Sequence, residues 1–514
     1  MLSAIARRRR PEGRPESLPA PVYGWNTVDP IGDMHPKYAL DMENFFPTPA
    51  DVMLRQGFAD HVTSIANGQV ESLMAYSSPT GTEALYGAAG TAIYNCTQAT
   101  ATASVAVSGL TNARWSHTNF TNSGGTSYLL AVNGADGLRA FDGSSWSTLS
   151  ITGTGASASN FNHISQHKRR IWFVKDQTLQ AYFLNADAVS GTATAVDLSG
   201  FARKGGELVA TATWTLDAGE GMDDYWVAVT SEGEIIVYKG TDPSAASTWV
   251  MVGRWEVGRP IGNRCFAKFG GDLLYLADDG IWPLAKLLIT ERSKPGVALT
   301  NKIADAIRKA ADSYRSNFGW QLVFWPRNTM VLANIPVATG SSQQQYIMNS
   351  ITKAWCYFTG ISANCFEVYG GNMYFGGNGF VSRFWSTFAD DGVAITGEAK
   401  QAFNYLKGNQ QKQITMARPI LNTNGAPTTS FGVNVDYDDD DNLGTLSFSP
   451  TSYGVWDTAT WDNGIWGGGL NVNRNWVTVS GIGFAVAPRL KVQSSGIETH
   501  WIATDLLVKD GGVL

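Results

Sequence analysis

Charge is in short supply. Only 16% of the 514 residues are Asp, Glu, Lys or Arg, against about a quarter in an ordinary globular chain. With 44% of the chain hydrophobic, this excludes a disordered polyelectrolyte and argues against a helical surface laced with ion pairs. A basic surplus is also missing: 38 Lys and Arg face 44 Asp and Glu, for a net charge of −6. Proteins that grip nucleic acid release counterions with Lys and Arg, so tight DNA binding is not expected, although DNA could still pass along the surface. Cysteine is scarce. Cys96, Cys265, Cys356 and Cys365 make no CxxC pair and no Cys/His cluster at zinc spacing, so buried, reduced thiols are expected. No run approaches the roughly 18 apolar residues that cross a bilayer. The opening MLSAIARRRRPEGRPESLPAP carries Arg7–Arg10 without the apolar stretch of a secretory signal, so residues 1–22 read as a flexible basic arm.

Recognisable catalytic patterns are missing as well. The six histidines are His35, His61, His117, His163, His167 and His500. His163 and His167 lie four apart, but in an alternating segment with no intervening Glu of the metalloprotease kind, and they read as surface or lip residues. There is no G-x-S-x-G elbow, Walker loop or strand-anchored G-x-G-x-x-G. FDGSSWSTL (141–149) is the nearest approach to a sialidase Asp box and lacks the initial Ser-x-Asp spacing. No catalytic residue, cofactor or metal is therefore expected. A propeller that binds or hydrolyses cell-surface glycan is the alternative reading, since carboxylate pairs are invisible without distances.

What the chain does have is glycine (55 residues), aromatics (11%) and 18 Trp, the material of short strands joined by tight turns. NRCFAKFGGDLLYLADDGIWPL begins at residue 263, and NCFEVYGGNMYFGGNGFVSRFW begins at 364. Cys265-Phe266 matches Cys365-Phe366, and Gly270-Gly271 matches Gly370-Gly371. Similar units of strand, Gly-bearing turn and strand recur from about residue 66, each about 40–50 residues long, which is the signature of β-propeller blades. We expect an all-β protein: a propeller of about six to eight blades over 66–388, with one short inserted helix in LTNKIADAIRKAADSYRSNFG. Thr300 is a candidate cap for that helix, with Ile303, Ile307, Ala310 and Ala311 on its buried face.

Either side of the propeller the rhythm changes. Residues 23–65 hold Pro30, Pro36, Pro47 and Pro49 among aromatics and read as an extended segment laid on another surface. Residues 389–514 alternate apolar and polar over longer strands, as a β-sandwich does. Within the latter, WDTATWDNGIWGGG spaces Trp456, Trp461 and Trp466 five apart, which suits a wrapping loop, either the lid of its own sandwich or the anchor of an interface. VDYDDDDN carries Asp436 and Asp438, Asp439, Asp440 and Asp441. A solvated hairpin tip, an acidic ring in a pore and a calcium site are all open readings of it.

The stretch GWNTVDPIGDMHPKYALDMENFFPTPADVMLRQGF resembles the amino-terminal signature of the tail nozzle proteins of short-tailed bacteriophages, also called tail tubular protein B or packaged-DNA stabilisation protein. Asn44, Phe45-Phe46-Pro47 and Arg55-x-Gly57-Phe58 carry the likeness. The G-G-x-x-Y rhythm, the single helix near 300 and the Trp-rich carboxy-terminal sandwich extend it over nearly the whole chain. The resemblance implies a homohexameric tube in the virion tail, folded in the host cytoplasm and docked on the head-to-tail adaptor ring. Such a tube holds the genome in, lets double-stranded DNA pass and often carries tail fibres or spikes. It also implies a platform built from chain-terminal segments, here 24–61 and 390–514. On that reading Trp25, Phe45, Phe46, Arg55, Trp456, Trp461 and Trp466 are candidate subunit or adaptor contacts, and Asp436 and Asp438–Asp441 are candidate channel-lining acids.

Overall fold

A computed structural model describes residues 13–217, 222–245, 247–289, 297–406, 408, 410–441, 443–448 and 469–510. The chain is a β-protein that divides into two compact units, one made of Ala59–Tyr346 and Gly360–Trp385, the other of Met1–Phe58, Ile347–Thr359 and Ser386–Leu514. No described helix is long and apolar enough to cross a membrane.

The first unit is a β-propeller with six discrete blade sheets. Their inner strands are Val70–Ser77, Ser116–Thr121, Phe161–His167, Leu208–Asp217, Phe266–Phe269 and Cys365–Tyr369. Between the last two blades a meander opens with Gln321–Trp325, which takes its own place in the inner ring next to both neighbours. Middle strands such as Ser127–Val132, Arg170–Lys175 and Asp272–Ala277 are almost continuously buried. Their apolar runs exist because a neighbouring blade covers each face. Outer strands such as Ser104–Ser108 and Thr194–Asp197 are mostly exposed.

The cores accordingly lie between blades. Met74, Tyr76 and Tyr86 of the first blade pack with Leu129 and Phe141 of the second. Between the third and fourth, Trp172 lies 4.5 Å from Trp226 and 5.6 Å from Trp249, centroid to centroid; such ring pairs add about 0.5–1.5 kcal/mol each beyond their burial. The ring closes non-locally. Strand Gly57–Val62 is the outermost strand of the last blade, beside Val381–Thr387, and Ser382 donates to Asp60 at 2.5 Å. On the inner side the Cys365 thiol donates to the Val70 carbonyl at 3.4 Å.

The repeated sentence is a blade hairpin. Phe266–Phe269 and Asp272–Ala277 pair in the same register as Cys365–Tyr369 and Asn372–Gly376. Gly370 and Gly371 turn with φ of 55° and 73°, the left-handed pair that a tight hairpin requires. Cys265 and Cys365 occupy matching buried positions as free thiols.

The second unit is two facing sheets. One orders Trp355–Phe358, Gly24–Trp25, Tyr38–Glu43, Ile395–Gln401, Val486–Ser494, Thr428–Val435 and Gly444–Leu446; the other centres on Lys412–Thr423 and Thr499–Asp510 and includes Phe45–Pro47 and Val52–Leu54.

Several sequence expectations need correction. Residues 59–65 belong with the propeller, and Ile347–Thr359 with the sandwich. The described part of the arm is not free: Arg14–Pro19 pairs antiparallel with Thr499–Asp510. Its arginines Arg7–Arg10 lie outside the described residues. Residues 24–54 are not draped over the platform but supply strands to both of its sheets. The helix spans Ala304–Tyr314 and buries Ile307, Ala310 and Ala311 as expected, but its start is uncapped by Thr300. That hydroxyl instead accepts from the Ile281 amide at 3.1 Å. A second, one-turn helix, Leu284–Ile289, follows Gly280–Pro283.

The signature residues meet in one buried knot. Arg55 is 1% exposed. It donates to both Asp390 oxygens (2.7 and 2.6 Å), to the Thr359 carbonyl (2.8 Å) and, through Nε, to Asn44 Oδ1 (2.8 Å). Asn44, at φ 55°, also accepts from the Thr359 amide and donates to the Thr396 carbonyl. Gly57 has no room for a side chain: a Cβ would fall 2.0 Å from the Ala389 carbonyl oxygen. We therefore expect Arg55→Ala, which strands Asp390, to cost about 3–5 kcal/mol. Gly57→Ala should be at least as damaging; urea unfolding of both variants checks this.

Candidate functional site

Residues near the beginnings of six inner strands converge on the propeller axis around a cavity of about 180 Å³. Among its lining residues are Ser116, His117, His163, Arg264, Gln321 and Glu367. None of these belongs to a recognisable site motif in the sequence. They lie on or just before five separate inner strands, with Ser116 and His117 sharing one and Arg264 two residues ahead of another, and their only common signal is a polar or charged residue near the start of an inner strand, as in NRCF and NCFE.

Each side chain is held by a neighbouring blade. His163 Nε2 lies 3.0 Å from the Thr211 carbonyl and must carry the proton there, so Nδ1 accepts from the Ser116 hydroxyl at 3.3 Å. Ser116 Oγ in turn accepts from the Ile164 amide at 3.2 Å. The pair has the outline of a nucleophile and base, but the third member is a main-chain carbonyl, not a carboxylate, and its geometry is that of a link between blades. Gln321 spans another seam, donating to the Phe366 carbonyl (2.9 Å) and accepting from its amide (2.8 Å). Arg264 Nη2 donates to the Glu71 carbonyl and to Ser72 Oγ, both at 2.8 Å. Its guanidinium lies 5.2 Å from the Phe318 ring centre, and His117 Nε2 lies 3.6 Å from Glu367 Oε2.

Ionisation follows from the surroundings. Burial lifts the Glu367 carboxyl from its ordinary 4.5 to about 8, against the opposing pull of the Val368 amide and Arg264. Burial drives His117 from 6.5 to about 4, helped by Arg264, and His163 to about 4 despite its Thr211 hydrogen bond. The Cys365 thiol is pushed up to about 12 by burial. At neutral pH the cavity thus holds neutral histidines, a protonated carboxyl and one cation. Among the described lining residues Glu367 is the only carboxyl, whereas glycoside hydrolysis ordinarily needs two.

Of the two histidines four apart, His163 is half-buried at the cavity and His167 is buried, so neither is a plain surface residue. His167 is 2% exposed and its Nδ1 lies 3.0 Å from Thr213 Oγ1; with His163 it glues the third blade to the fourth. The candidate contact residues fare differently. Phe45 (0% exposed), Phe46 (5%) and Arg55 are consumed inside their own unit, which corrects their assignment as groups offered to a partner. Trp25 is half-buried, 4.9 Å from the Tyr357 ring centre. Trp456, Trp461 and Trp466 lie outside the described residues. The acidic run is a turn already partly neutralised: Asp439 takes Lys400 at 2.7 Å and Asp441 takes Arg489 at 2.7 Å. Asp436 accepts the Phe484 and Ala485 amides (2.7 and 3.0 Å), while Asp438 and Asp440 are exposed. Among the described residues no three His, Cys, Asp or Glu side chains group so as to hold a metal ion.

No family model and no curated protein matches the sequence. Among solved structures, YCF48 from Cyanidioschyzon merolae is 13% identical, aligned over 66% of this chain and 97% of its own, with a TM-score of 0.31. The exo-beta-1,3-galactanase of Phanerochaete chrysosporium is 11% identical over 76% of this chain and 95% of its own, with a TM-score of 0.29. Chaetomium thermophilum Raptor is 13% identical over 66% of this chain and 29% of its own, with a TM-score of 0.40. None carries an argument about function.

The raised carboxyl yields a signed prediction. A folded-state value of about 8 against 4.5 in the unfolded chain gives a stability contribution complete below pH 4.5 and lost as pH rises through 8. Glu367→Gln should therefore leave stability unchanged near pH 4 and raise it above wild type at pH 8, measured by denaturant unfolding at both pH values.

Proposed function

We propose that the protein is a non-enzymatic structural subunit of a bacteriophage tail nozzle. In this reading, six copies form a tube below the head-to-tail adaptor ring, retain the genome and let it pass on infection, with tail fibres or spikes as further partners. The observation that carries the reading is the build of the sandwich unit. The resemblance implies a platform made from chain-terminal segments, and this unit joins Met1–Phe58 to Ser386–Leu514 through the residues of the signature itself, Asn44, Arg55 and Gly57. A net charge of −6 per copy suits a conduit, since a passing polyanion meets few cations that would hold it.

The hydrolase alternative lacks support at the axis, where one carboxyl faces an arginine and two neutral histidines. Light scattering and negative-stain imaging of the purified full chain, alone and with its adaptor ring, test the proposal. Six-fold rings with an axial channel are expected. A protein that stays monomeric or trimeric under both conditions, or that cleaves glycan, overturns it.

A further inference from the structure

We propose that the axial cavity is a binding site for a small oxyanion, a short carboxylate or an inorganic oxyanion, seated against Arg264. The inference concerns the propeller unit alone and does not rest on the nozzle reading.

Charge is unbalanced around the cavity. Arg264 is fixed by one edge: Nη2 reaches Glu71 O and Ser72 Oγ, while Nη1 is shut off from solvent with no hydrogen-bond partner. The nearby carboxylates are otherwise engaged. Glu71 takes Arg114 at 3.1 Å, and Glu367 sits with His117 at 3.6 Å. Among the described residues the half-buried Arg264 guanidinium therefore makes no ion pair with a carboxylate, and a cation partly withdrawn from water without one favours an anionic partner. Beside it the chain leaves a space of about 180 Å³, comparable to a cavity of about 150 Å³ that accepts benzene. The lining suits an anion with few heavy atoms. Arg264 supplies the charge; a protonated Glu367 and the neutral His117 supply hydrogen-bond donors. Leu73, Phe266 and Leu322 close the rest with apolar surface, which disfavours a large, strongly hydrated polyanion. A cation is disfavoured by Arg264 itself.

The proton on Glu367 makes the site pH-sensitive with a definite sign. The groups facing it are His117 and Arg264, with Cys365 beside them and Glu71 and Arg114 behind Arg264. His117 titrates near 4 and Cys365 near 12, so in the alkaline range the change belongs to Glu367. Once ionised it repels the ligand and competes for Arg264.

Calorimetric titration of the full chain with acetate, formate, nitrate and phosphate, at constant ionic strength set with chloride, tests the site. Saturable one-to-one binding at pH 7 with a Kd of about 1 mM or tighter is expected for at least one of them. Carboxylates binding best would name an organic acid as occupant, and nitrate or phosphate binding best an inorganic one. Above pH 8 the wild-type affinity should fall about tenfold per pH unit, while Glu367→Gln, whatever its affinity at pH 7, shows no such fall. Arg264→Gln should weaken binding at least tenfold. Because that variant also loses its tie to Glu71, Glu367→Gln is the arm that keeps the fold. No saturable binding of any of the four anions, or identical pH dependence in wild type and Glu367→Gln, overturns the proposal.

Discussion

The bidentate pairing of Arg55 with Asp390 organises the sandwich unit. Three stretches of chain that are distant in sequence build that unit, and the guanidinium touches all of them: Asn44 on its own segment, the Thr359 carbonyl, and Asp390. A planar fork of five donors can satisfy such a set, whereas a lysine ammonium, a compact point charge, cannot. A buried ion pair adds little net stability over a well-packed apolar substitute. Its value here is that only one register brings Asn44, Thr359 and Asp390 to the same guanidinium. Gly57 completes the constraint, because the chain can leave the knot only where its backbone lies against the Ala389 carbonyl.

The propeller is held by the same kind of economy, polar side chains acting where strand ladders stop. Neighbouring inner strands are joined by Gln321 to Phe366, His163 to Thr211, Ser116 to Ile164 and Cys365 to Val70. Apolar clusters fill the wedges between blades. Placing these polar links at the axis satisfies the main chain but gathers titratable groups in a confined space, which is why Glu367, His117 and His163 all favour their neutral forms.

Legibility in the sequence tracked how local each feature is. Blade hairpins were readable because their causes lie within a few residues: the apolar run of Asp272–Ala277, the Gly370-Gly371 turn, the helical spacing of Ile307, Ala310 and Ala311. The all-β class and the propeller followed from these. Non-local features were not readable. Nothing near residue 60 announces that Gly57–Val62 closes the last blade, nor anything near 350 that Trp355–Phe358 joins the other unit. That Phe45, Phe46 and Arg55 are buried inside their own unit and not against a neighbouring subunit was missed for the same reason, since Thr359 and Asp390 lie more than three hundred residues from Arg55. His163 and His167 read as surface residues because alternation alone does not reveal that a neighbouring blade covers the face they share.

The central structural claim is that the signature residues are internal fasteners that make the terminal segments one cooperative body. Hydrogen exchange of the backbone amides of Asn44, Arg55 and Thr359, followed together with those of Arg418, Ile420 and Leu421 in the long central strand, addresses it directly. The account predicts that all of these amides exchange only through a common opening of the unit, with the same denaturant dependence. Exchange of the Asn44 and Arg55 amides by local fraying, while the central strand stays protected, would contradict it.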